Sequence, residues 1–325
     1  NTNEDGKKYI YDSNAYMPQW NNLDDIELFS VNGDLSKVSI KKGDDIYIYN
    51  WDSHEYEILE QEKIGLENEN IIYITEQLYS YHNEYIIFTK KGNVYKMTKL
   101  DQKVELLDIG INNDEIIDIY PIMIDHYKEE IIIRTKNGEL YNYQIQETTE
   151  ENILTNMKEE YTELTGEKII DIQILNQSGE MLILTDTQKV FYLDIELGKI
   201  EEESFVNKID GKVDKVFGTY WAIYINTEDG NTYTEHEGQL ICANEDPMLK
   251  GKKIEKIEFL NSTFIFKIED GKFYTINDSG ELQEIPNLKD INYRYIKTEN
   301  SIYYYSEYGL KQIITNTYMS KIPLN

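Results

Sequence analysis

The chain has very little cysteine and proline. Cys242 is the single cysteine among 325 residues, so an intrachain disulfide and a Cys-x-x-Cys metal site are both excluded. Only five prolines are present, and we therefore expect glycine, asparagine and aspartate to form most of the turns. No segment approaches the roughly 18 consecutive apolar residues that a membrane-spanning helix needs. The 40% of residues that are hydrophobic are enough for a sizeable core.

Basic residues are also scarce relative to acidic ones. The chain has 32 lysines and arginines against 61 aspartates and glutamates, a formal charge of −29. Phosphate backbones and anionic lipid surfaces bind clustered lysine and arginine, so the composition argues against nucleic acid and anionic membrane as partners. Two interpretations stay open: a partner with a basic surface, and a charged surface that keeps a β-rich protein in solution.

Motifs of the common enzyme classes are missing from the sequence. We find no nucleophile elbow, Walker-type loop, dinucleotide fingerprint or His-Glu-x-x-His motif. Segments 226–235 and 277–284 place oxygen donors around a glycine, but neither has the alternating aspartates and terminal glutamate of a calcium loop. We therefore predict no cofactor and no metal site, and we interpret the protein as a non-enzymatic one.

What the chain has in abundance is tyrosine, with 28 residues, and isoleucine in pairs and triplets. β-Branched and aromatic side chains favour strands. An apolar run, a short polar turn and a second apolar run recur along the chain, at 37–51, 84–97, 129–143, 180–193, 221–235, 263–276 and 301–314. Successive turns are about 38 to 50 residues apart, a spacing typical of propeller blades.

Each of these hairpins forms the centre of a predicted four-stranded unit, A–B–C–D, because a β-rich segment precedes it and a second turn and strand follow. We predict an all-β fold, a β-propeller of seven four-stranded blades, with six or eight blades as alternatives. The predicted B–C turn residues are Gly43, Gly92, Gly138, Gly230, Gly271 and Gly309, with Gln188 in the corresponding position of 180–193. The predicted buried centres of the B strands are Ile87, Ile132, Ile183, Ile223, Ile265 and Tyr303.

Two segments fall outside this regular pattern. Residues 1–23 are predicted to be an N-terminal linker or tail ahead of a single propeller domain, 24–325. The glutamate-rich segment 145–165 is interpreted as an acidic insertion, either a helix or a loop. The start at Asn1 fits either a domain boundary or a mature end left after removal of a signal or anchor. The abundance of lysine, asparagine, isoleucine and tyrosine suggests an A/T-rich bacterial genome, and we expect an extracytoplasmic, secreted or membrane-anchored protein.

The hairpins 86–97, 131–143 and 265–276 resemble the repeats of the RCC1 (regulator of chromosome condensation) family. In those repeats an apolar strand leads into a Thr-x-Asp-Gly-like turn and a Val-Tyr-x-Trp or Val-Tyr-x-Tyr strand. The family's Gly-x-x-His and Gly-x-Asn-x-x-Gly-Gln-Leu-Gly signatures are missing here. The resemblance therefore implies a seven-bladed fold, and neither exchange-factor activity nor chromatin binding is carried over.

Aromatic residues and histidines cluster in the predicted A–B and C–D connections, which emerge at the same end of a blade. Tyrosine and tryptophan anchor many protein interfaces because they bury a large area at a low entropic cost. We predict a binding surface at this end, centred on the second and third blades. Its predicted residues are Tyr81, His82, His126, Tyr127, Trp51 and His54, with Glu84, Glu129 and Glu130 as acids at the rim.

The functional prediction is a binding scaffold that presents propeller loops to a protein or glycan partner at a bacterial cell surface. The alternative is a polysaccharide hydrolase or lyase, since some propellers are glycosidases and paired carboxylates are the groups that such enzymes use. A converging carboxylate pair in a deep pocket would favour the enzyme, and an aromatic face would favour the scaffold.

Overall fold

A computed structural model describes most of the chain. The residues described are 8–12, 15–19, 26–31, 37–50, 55–76, 84–99, 101–108, 111, 114–124, 128–145, 153–176, 178–219, 222–236, 238–245, 249–260, 263–276, 282–291, 295–299, 301–306 and 309–315. The chain forms two compact units. One consists of 1–137, 141–155 and 294–325, and the other of 138–140 and 156–293.

In the described residues, seven four-stranded sheets follow one another along the chain, after a strand pair formed by β1 (Lys8–Asp12) and β2 (Ala15–Gln19). Blade 1 contains β3 (Ile26–Val31), β4 (Lys37–Lys42), β5 (Asp45–Asn50) and β6 (Glu55–Glu60). Blade 2 contains β7 (Ile71–Glu76), β8 (Glu84–Thr89), β9 (Val94–Thr98) and β10 (Val104–Leu107). Blade 3 contains β11 (Ile116–Ile124), β12 (Lys128–Thr135), β13 (Leu140–Gln144) and β14 (Ile153–Asn156).

Blade 4 contains β15 (Ile169–Ile174), β16 (Glu180–Thr185), β17 (Val190–Asp194) and β18 (Lys199–Glu202). Blade 5 contains β19 (Val213–Thr219), β20 (Ala222–Thr227), β21 (Thr232–His236) and β22 (Gln239–Cys242). Blade 6 contains β23 (Ile254–Leu260), β24 (Thr263–Ile268), β25 (Phe273–Ile276) and β26 (Leu282–Glu284). Blade 7 contains β27 (Leu288–Ile291), β28 (Tyr295–Thr298), β29 (Ser301–Ser306) and β30 (Gly309–Thr315).

The four strands of each blade, A to D, are hydrogen-bonded in the order of the chain. This confirms the predicted all-β, seven-bladed β-propeller. The segment 145–165 supplies strand D of blade 3, followed by a one-turn helix α1 (Met157–Glu160) and a 3-10 turn. Within the described part of the chain, the helices are too short and too polar to span a membrane. The N-terminal segment interpreted as a tail includes the strand pair β1–β2.

The B–C hairpins share a turn that explains the recurring threonine and glycine. In blade 5, the Thr227 N–H donates to the Asn231 carbonyl at 2.9 Å, and the Gly230 N–H donates to the Thr227 carbonyl at 2.9 Å. The buried Thr227 hydroxyl donates to the same Asn231 carbonyl at 3.0 Å. Gly230 has a φ of +91°, a conformation that glycine adopts without strain. Blades 2, 4 and 6 repeat the two backbone bonds, so the turn is a local consequence of the sequence.

Strand A carries a register shift at the same place in five blades. The shifts lie between Ile71/Tyr73, Ile116/Asp118, Ile169/Asp171, Val213/Lys215 and Ile254/Lys256. A β-bulge leaves one residue unpaired and bends the strand. Here it exposes the second isoleucine of the Ile-Ile pairs, since Ile117 and Ile170 are 47% and 38% exposed while Ile116 and Ile169 are buried. The bulge therefore explains why a motif with adjacent isoleucines still forms a half-buried strand.

In the first unit, neighbouring blades share apolar clusters. Ile46 and Ile48 of blade 1 pack with Tyr85 and Ile87 of blade 2. On the other side of blade 2, Phe88 meets Tyr143 of blade 3 edge to face, with ring centroids 5.4 Å apart. Strand β8 is buried along its whole length because both of its faces are covered.

The second unit is built in the same way. Leu182 and Leu184 of blade 4 pack with Val216 and Ile225 of blade 5. A separate cluster joins blade 5 to blade 6 and includes Phe217 and Phe266. Burial of large apolar side chains on both faces of strand B is the main source of stability that the sequence supplies, at about 1.5–3 kcal/mol for each fully buried side chain.

Most of the predicted strand positions are confirmed. The structure places Gly43, Gly92, Gly138, Gln188, Gly230 and Gly271 between strands B and C, as predicted. The predicted strand-B residues Ile87, Ile132, Ile183 and Ile265 are buried.

The prediction for the last blade is wrong. Gly309 begins strand D of blade 7, opposite Ser306, because 301–315 forms the C–D hairpin and not the B–C hairpin. Tyr303 consequently lies on strand C and is half-buried. Ile223 lies on strand B as expected but is only half-buried, since it borders a cleft.

Candidate functional site

Six of the predicted binding residues, Tyr81, His82, His126, Tyr127, Trp51 and His54, lie outside the described residues. The topology does assign their connections. Residues 77–83 join β7 to β8, 125–127 join β11 to β12, and 51–54 join β5 to β6. The strands on either side are A and B in blades 2 and 3 and C and D in blade 1, and in an antiparallel blade the A–B and C–D strand ends lie at the same end. This end is called the A–B/C–D end below.

The predicted rim acids are placed differently from the expectation. Glu84 is buried in strand β8 and forms an ion pair with Lys96, with a distance of 2.8 Å between Oε2 and Nζ. Glu130 is buried in β12 and accepts a hydrogen bond from Nδ2 of Asn142. Glu129 pairs with Met123 across the blade, and its side chain is outside the described set. Glu84 and Glu130 therefore do not form an exposed acidic rim, because cross-strand neighbours bury and pair them.

A cleft of about 730 Å³ lies between blades 4 and 5, inside the second unit. Its walls come from strands β16, β17 and β18 on one side and from β20 and β21 on the other. Many lining residues lie beside A–B or C–D turns: Leu175, Glu180, Asp194, Leu197, Lys199, Ala222 and Glu235. The cleft is thus at the end of the blade that the sequence predicted to bind, although in blades 4 and 5 and not in blades 2 and 3.

Carboxylates dominate the polar part of the cleft. Glu180 and Asp194 are direct cross-strand partners, and Asp194 is in turn opposite Lys199. Oδ1 of Asp194 accepts a hydrogen bond from the backbone N–H of Leu197 at 3.0 Å, which fixes the C–D turn. Nζ of Lys199 is 3.0 Å from Oε1 of Glu201, so this lysine is paired with an exposed acid.

Glu203 and Glu235 add two more acids to the lining. Partial burial, and after it the negative charges of Glu235 and Glu201, raise the pKa of Glu203 above its usual value. The nearest described cation to Glu235 is Lys208, with Nζ 3.9 Å from Oε1. The cleft consequently has an unfavourable excess of negative charge that a cationic ligand would relieve.

The apolar part of the cleft is formed by Leu175, Phe205, Ile223 and Leu197. Leu197, in the C–D turn of blade 4, is 74% exposed. An exposed leucine beside the buried Asp194 provides a surface for the apolar stem of a long cationic side chain. His236 is exposed at the end of strand β21, next to Glu235, and so flanks the same cleft.

The segments considered as calcium loops serve as turns where they are described. The proton of the Thr227 hydroxyl is shared between the Asn231 carbonyl, at 3.0 Å, and Oδ1 of Asp229, at 2.5 Å, and the Asn231 side-chain amide donates to Oδ2 of Asp229 at 2.9 Å. In 226–235 the aspartate oxygens are therefore occupied by the hairpin itself, and 277–281 lies outside the described residues. Across the described chain, no group of three or more histidine, cysteine, aspartate or glutamate side chains could hold a metal ion.

The sequence alone did not identify the cleft. Its acids come from three separate strands and from the segment after β18, so no short motif contains them. The one available signal was a departure from the repeat pattern in 180–193, where Gln188 replaces the turn glycine and Asp194 follows directly after the segment.

Comparisons with known proteins support the fold and nothing finer. No family model matches the sequence, and no curated protein does. Human WBSCR16 is similar in structure at 10% identity, covering 86% of this chain and 87% of that one with a TM-score of 0.50. The β-propeller domain of Cps50 (Swd1) from Myceliophteria thermophila is 11% identical, covering 88% and 95% of the two chains, with a TM-score of 0.48. YCF48 from Cyanidioschyzon merolae is 9% identical, covering 86% and 90%, with a TM-score of 0.49. The class that the blades define is a seven-bladed β-propeller. Its described blades include an acidic cleft between blades 4 and 5.

Proposed function

We propose that the protein is a non-enzymatic scaffold that binds a protein partner at the A–B/C–D end of its blades. The observation that carries the proposal is the cleft between blades 4 and 5, which combines four carboxylates with an exposed leucine. Interfaces of protein partners are typically built from such a mixture of apolar contact area and a few oriented polar groups.

The partner that fits this cleft has a basic surface. The net charge of −29 attracts cations at long range, and Glu180, Asp194, Glu203 and Glu235 bring four carboxylates to the cleft itself. Complementary charge increases the rate of encounter and selects among partners more than it adds affinity. A protein partner is preferred to a neutral glycan because a glycan would leave these acids uncompensated.

The cellular setting belongs to the same proposal. We place the protein outside the cytoplasm of a bacterium on the basis of its composition. We also assign its repeats to the RCC1-like class of propeller, since the described turns carry the buried threonine and the glycine of a Thr-x-Asp-Gly-like motif.

A peptide-display selection tests the scaffold function. The immobilised protein is offered a random-peptide library, and the peptides recovered are measured against two variants with the same change in charge. Glu235→Lys alters the cleft, whereas Glu269→Lys alters an exposed residue after strand B of blade 6, near the opposite end of the blade. We expect lysine- and arginine-rich peptides whose binding is lost with Glu235→Lys and kept with Glu269→Lys. Loss with Glu269→Lys alone, or recovery of peptides without basic residues, would overturn the proposal.

The second candidate function is cleavage of a polysaccharide, either by hydrolysis or by the elimination reaction of a lyase. It is favoured by Glu203, whose raised pKa is the property of a general acid, beside other carboxylates in one cleft. Release of reducing ends or unsaturated sugars from a panel of polysaccharides, abolished by Glu203→Gln, would establish it. Turnover that Glu203→Gln leaves unchanged would exclude this cleft as its site.

A further inference from the structure

In blades 2, 3 and 4, a glutamate occupies the same position at or near the start of strand B. Glu84, Glu130 and Glu180 each stand five residues before the buried threonine that ends the strand, Thr89, Thr135 or Thr185. The three glutamates are therefore structurally equivalent, and their surroundings can be compared directly.

In blades 2 and 3 this glutamate has a partner from strand C. Lys96 lies 2.8 Å from Glu84, and Asn142 donates to Glu130. These two partners occupy the same position of strand C, two residues after its first residue, Val94 or Leu140. A lysine or an asparagine at that position thus compensates the carboxylate within the blade.

In blade 4 the equivalent position of strand C holds Tyr192, two residues after Val190. Within the described part of the chain, Oε2 of Glu180 is buried and has no hydrogen-bond partner. A buried carboxylate oxygen without a partner is costly, and natural proteins seldom leave one uncompensated. Both Glu180 and Tyr192 line the cleft, so the uncompensated oxygen belongs to a carboxyl group in the cleft wall.

We propose that a lysine side chain of the partner enters this cleft and takes, beside Glu180, the place that Lys96 has beside Glu84. Its ammonium group would lie between Glu180 and the adjacent Asp194, and its apolar stem would pack on Leu197. The ligand is thus a basic peptide segment with an apolar residue next to the lysine. This inference rests on the proposed scaffold function and names its anchor.

The test restores the missing cation inside the chain. Tyr192→Lys recreates the arrangement of blade 2, so it should neutralise Glu180 and block the cleft. The probe is a fluorescein-labelled peptide, acetyl-Gly-Leu-Lys-Leu-Gly-amide, with matched peptides that carry norleucine or arginine in place of lysine. Dissociation constants are measured by fluorescence anisotropy for the wild type, Tyr192→Lys, Glu180→Gln and the charge control Glu269→Lys.

We expect the lysine peptide to bind the wild type at least about tenfold more tightly than the norleucine peptide, a difference of about 1.4 kcal/mol. Tyr192→Lys and Glu180→Gln should each weaken the lysine peptide by at least about tenfold, and Glu269→Lys should leave it unchanged. Tyr192→Lys should also raise the midpoint of thermal unfolding, a result that needs no ligand and shows that the variant is folded.

Several results would overturn the proposal. They are equal binding of the lysine and norleucine peptides, tighter binding of the arginine peptide, no binding of the lysine peptide, or a lower unfolding midpoint for Tyr192→Lys. If the displayed peptides lose affinity with Glu235→Lys but keep it with Tyr192→Lys and Glu180→Gln, the scaffold function stands and the lysine anchor fails. If Glu235→Lys also has no effect, the scaffold function at this cleft fails as well.

Discussion

Gly92 and Gly271 occupy the same position of the same turn, but their surroundings differ. Both have a positive φ, +86° and +75°, and both donate a hydrogen bond to the last residue of strand B. A Cβ at position 92 would collide with the backbone carbonyl oxygen of Asp114, whereas no described atom lies within 4 Å of a Cβ at position 271. The pair therefore separates the conformational role of the glycine from its role in packing one blade on the next.

The expected losses in the free energy of unfolding follow from the conformational role and the packing role of each glycine. An alanine at positive φ costs about 1–2 kcal/mol, and the stiffer unfolded chain returns about 0.4–1 kcal/mol. Gly271→Ala should therefore lower the free energy of unfolding by about 1 kcal/mol. Gly92→Ala adds the displacement of Asp114, for which overpacking typically costs about 1–3 kcal/mol, and should lose about 2–4 kcal/mol in total.

Urea unfolding followed by far-ultraviolet circular dichroism measures both variants at an unchanged m-value. A loss of the same size for Gly92→Ala and Gly271→Ala would refute the reasoning, because it would show that the approach of Asp114 contributes nothing.

Two further predictions concern buried polar groups. Burial raises the pKa of Glu258 to about 6, against the opposing effect of Lys256. Above pH 6 the ionised form of Glu258 therefore destabilises the folded state by about 2 kcal/mol relative to an ordinary glutamate. This destabilisation decreases as the pH falls towards about 4.5, because the carboxyl group is then protonated in the folded state. Glu258→Gln should raise the free energy of unfolding at pH 8 by up to that amount and change it little near pH 4.5, and an equal gain at both pH values would contradict this assignment. Thr227→Val removes the hydroxyl that closes the blade 5 turn and should lower the free energy of unfolding by about 1–2 kcal/mol, which chemical denaturation would show as a shifted midpoint.

The hairpins were predictable because their determinants are local. A threonine, a polar pair and a residue with positive φ are within four positions of one another, and the hydrogen bonds of the turn join the same residues. The spacing of the turns then indicated the number of blades, since each blade needs about the same length of chain. The strands inside blades 2 to 6 follow from these two facts.

The last blade shows where local reasoning stops. The segment 288–298 supplies two strands, β27 and β28, where the pattern suggested one, and the Tyr-rich hairpin that follows is therefore C–D. A glycine in a polar turn between apolar runs has the same local appearance in either hairpin. Only the partner strand decides which hairpin it is, and that partner is not determined locally.

Two of the predicted rim acids were misplaced for a related reason. Glu84 and Glu130 appeared to be exposed acids because they stand beside polar connections in the sequence. Their burial depends on Lys96 and Asn142, twelve residues away in each case and on the next strand. The pairing of a charged residue with a residue on the next strand cannot be predicted from single segments, although it follows once the strand register is known.

Departures from a repeat carry information that the repeat itself does not, and two of them in blade 4 face blade 5. Gln188 replaces glycine at a φ of +69°, and its Oε1 accepts a hydrogen bond from the Val213 N–H of blade 5 at 2.6 Å. Tyr192 replaces the polar partner of the strand-B glutamate and lines the cleft with Ile223 of blade 5. The hydrogen bond from Val213 gives the first exception a structural reason, because it fixes blade 5 against blade 4. The second exception adds the Tyr192 ring to the apolar cluster shared by blades 4 and 5, but within the described chain it leaves Oε2 of Glu180 without a hydrogen-bond partner. Because Glu180 lines the cleft, the proposed lysine of the partner would complete at Glu180 the ion pair that Lys96 forms with Glu84 in blade 2.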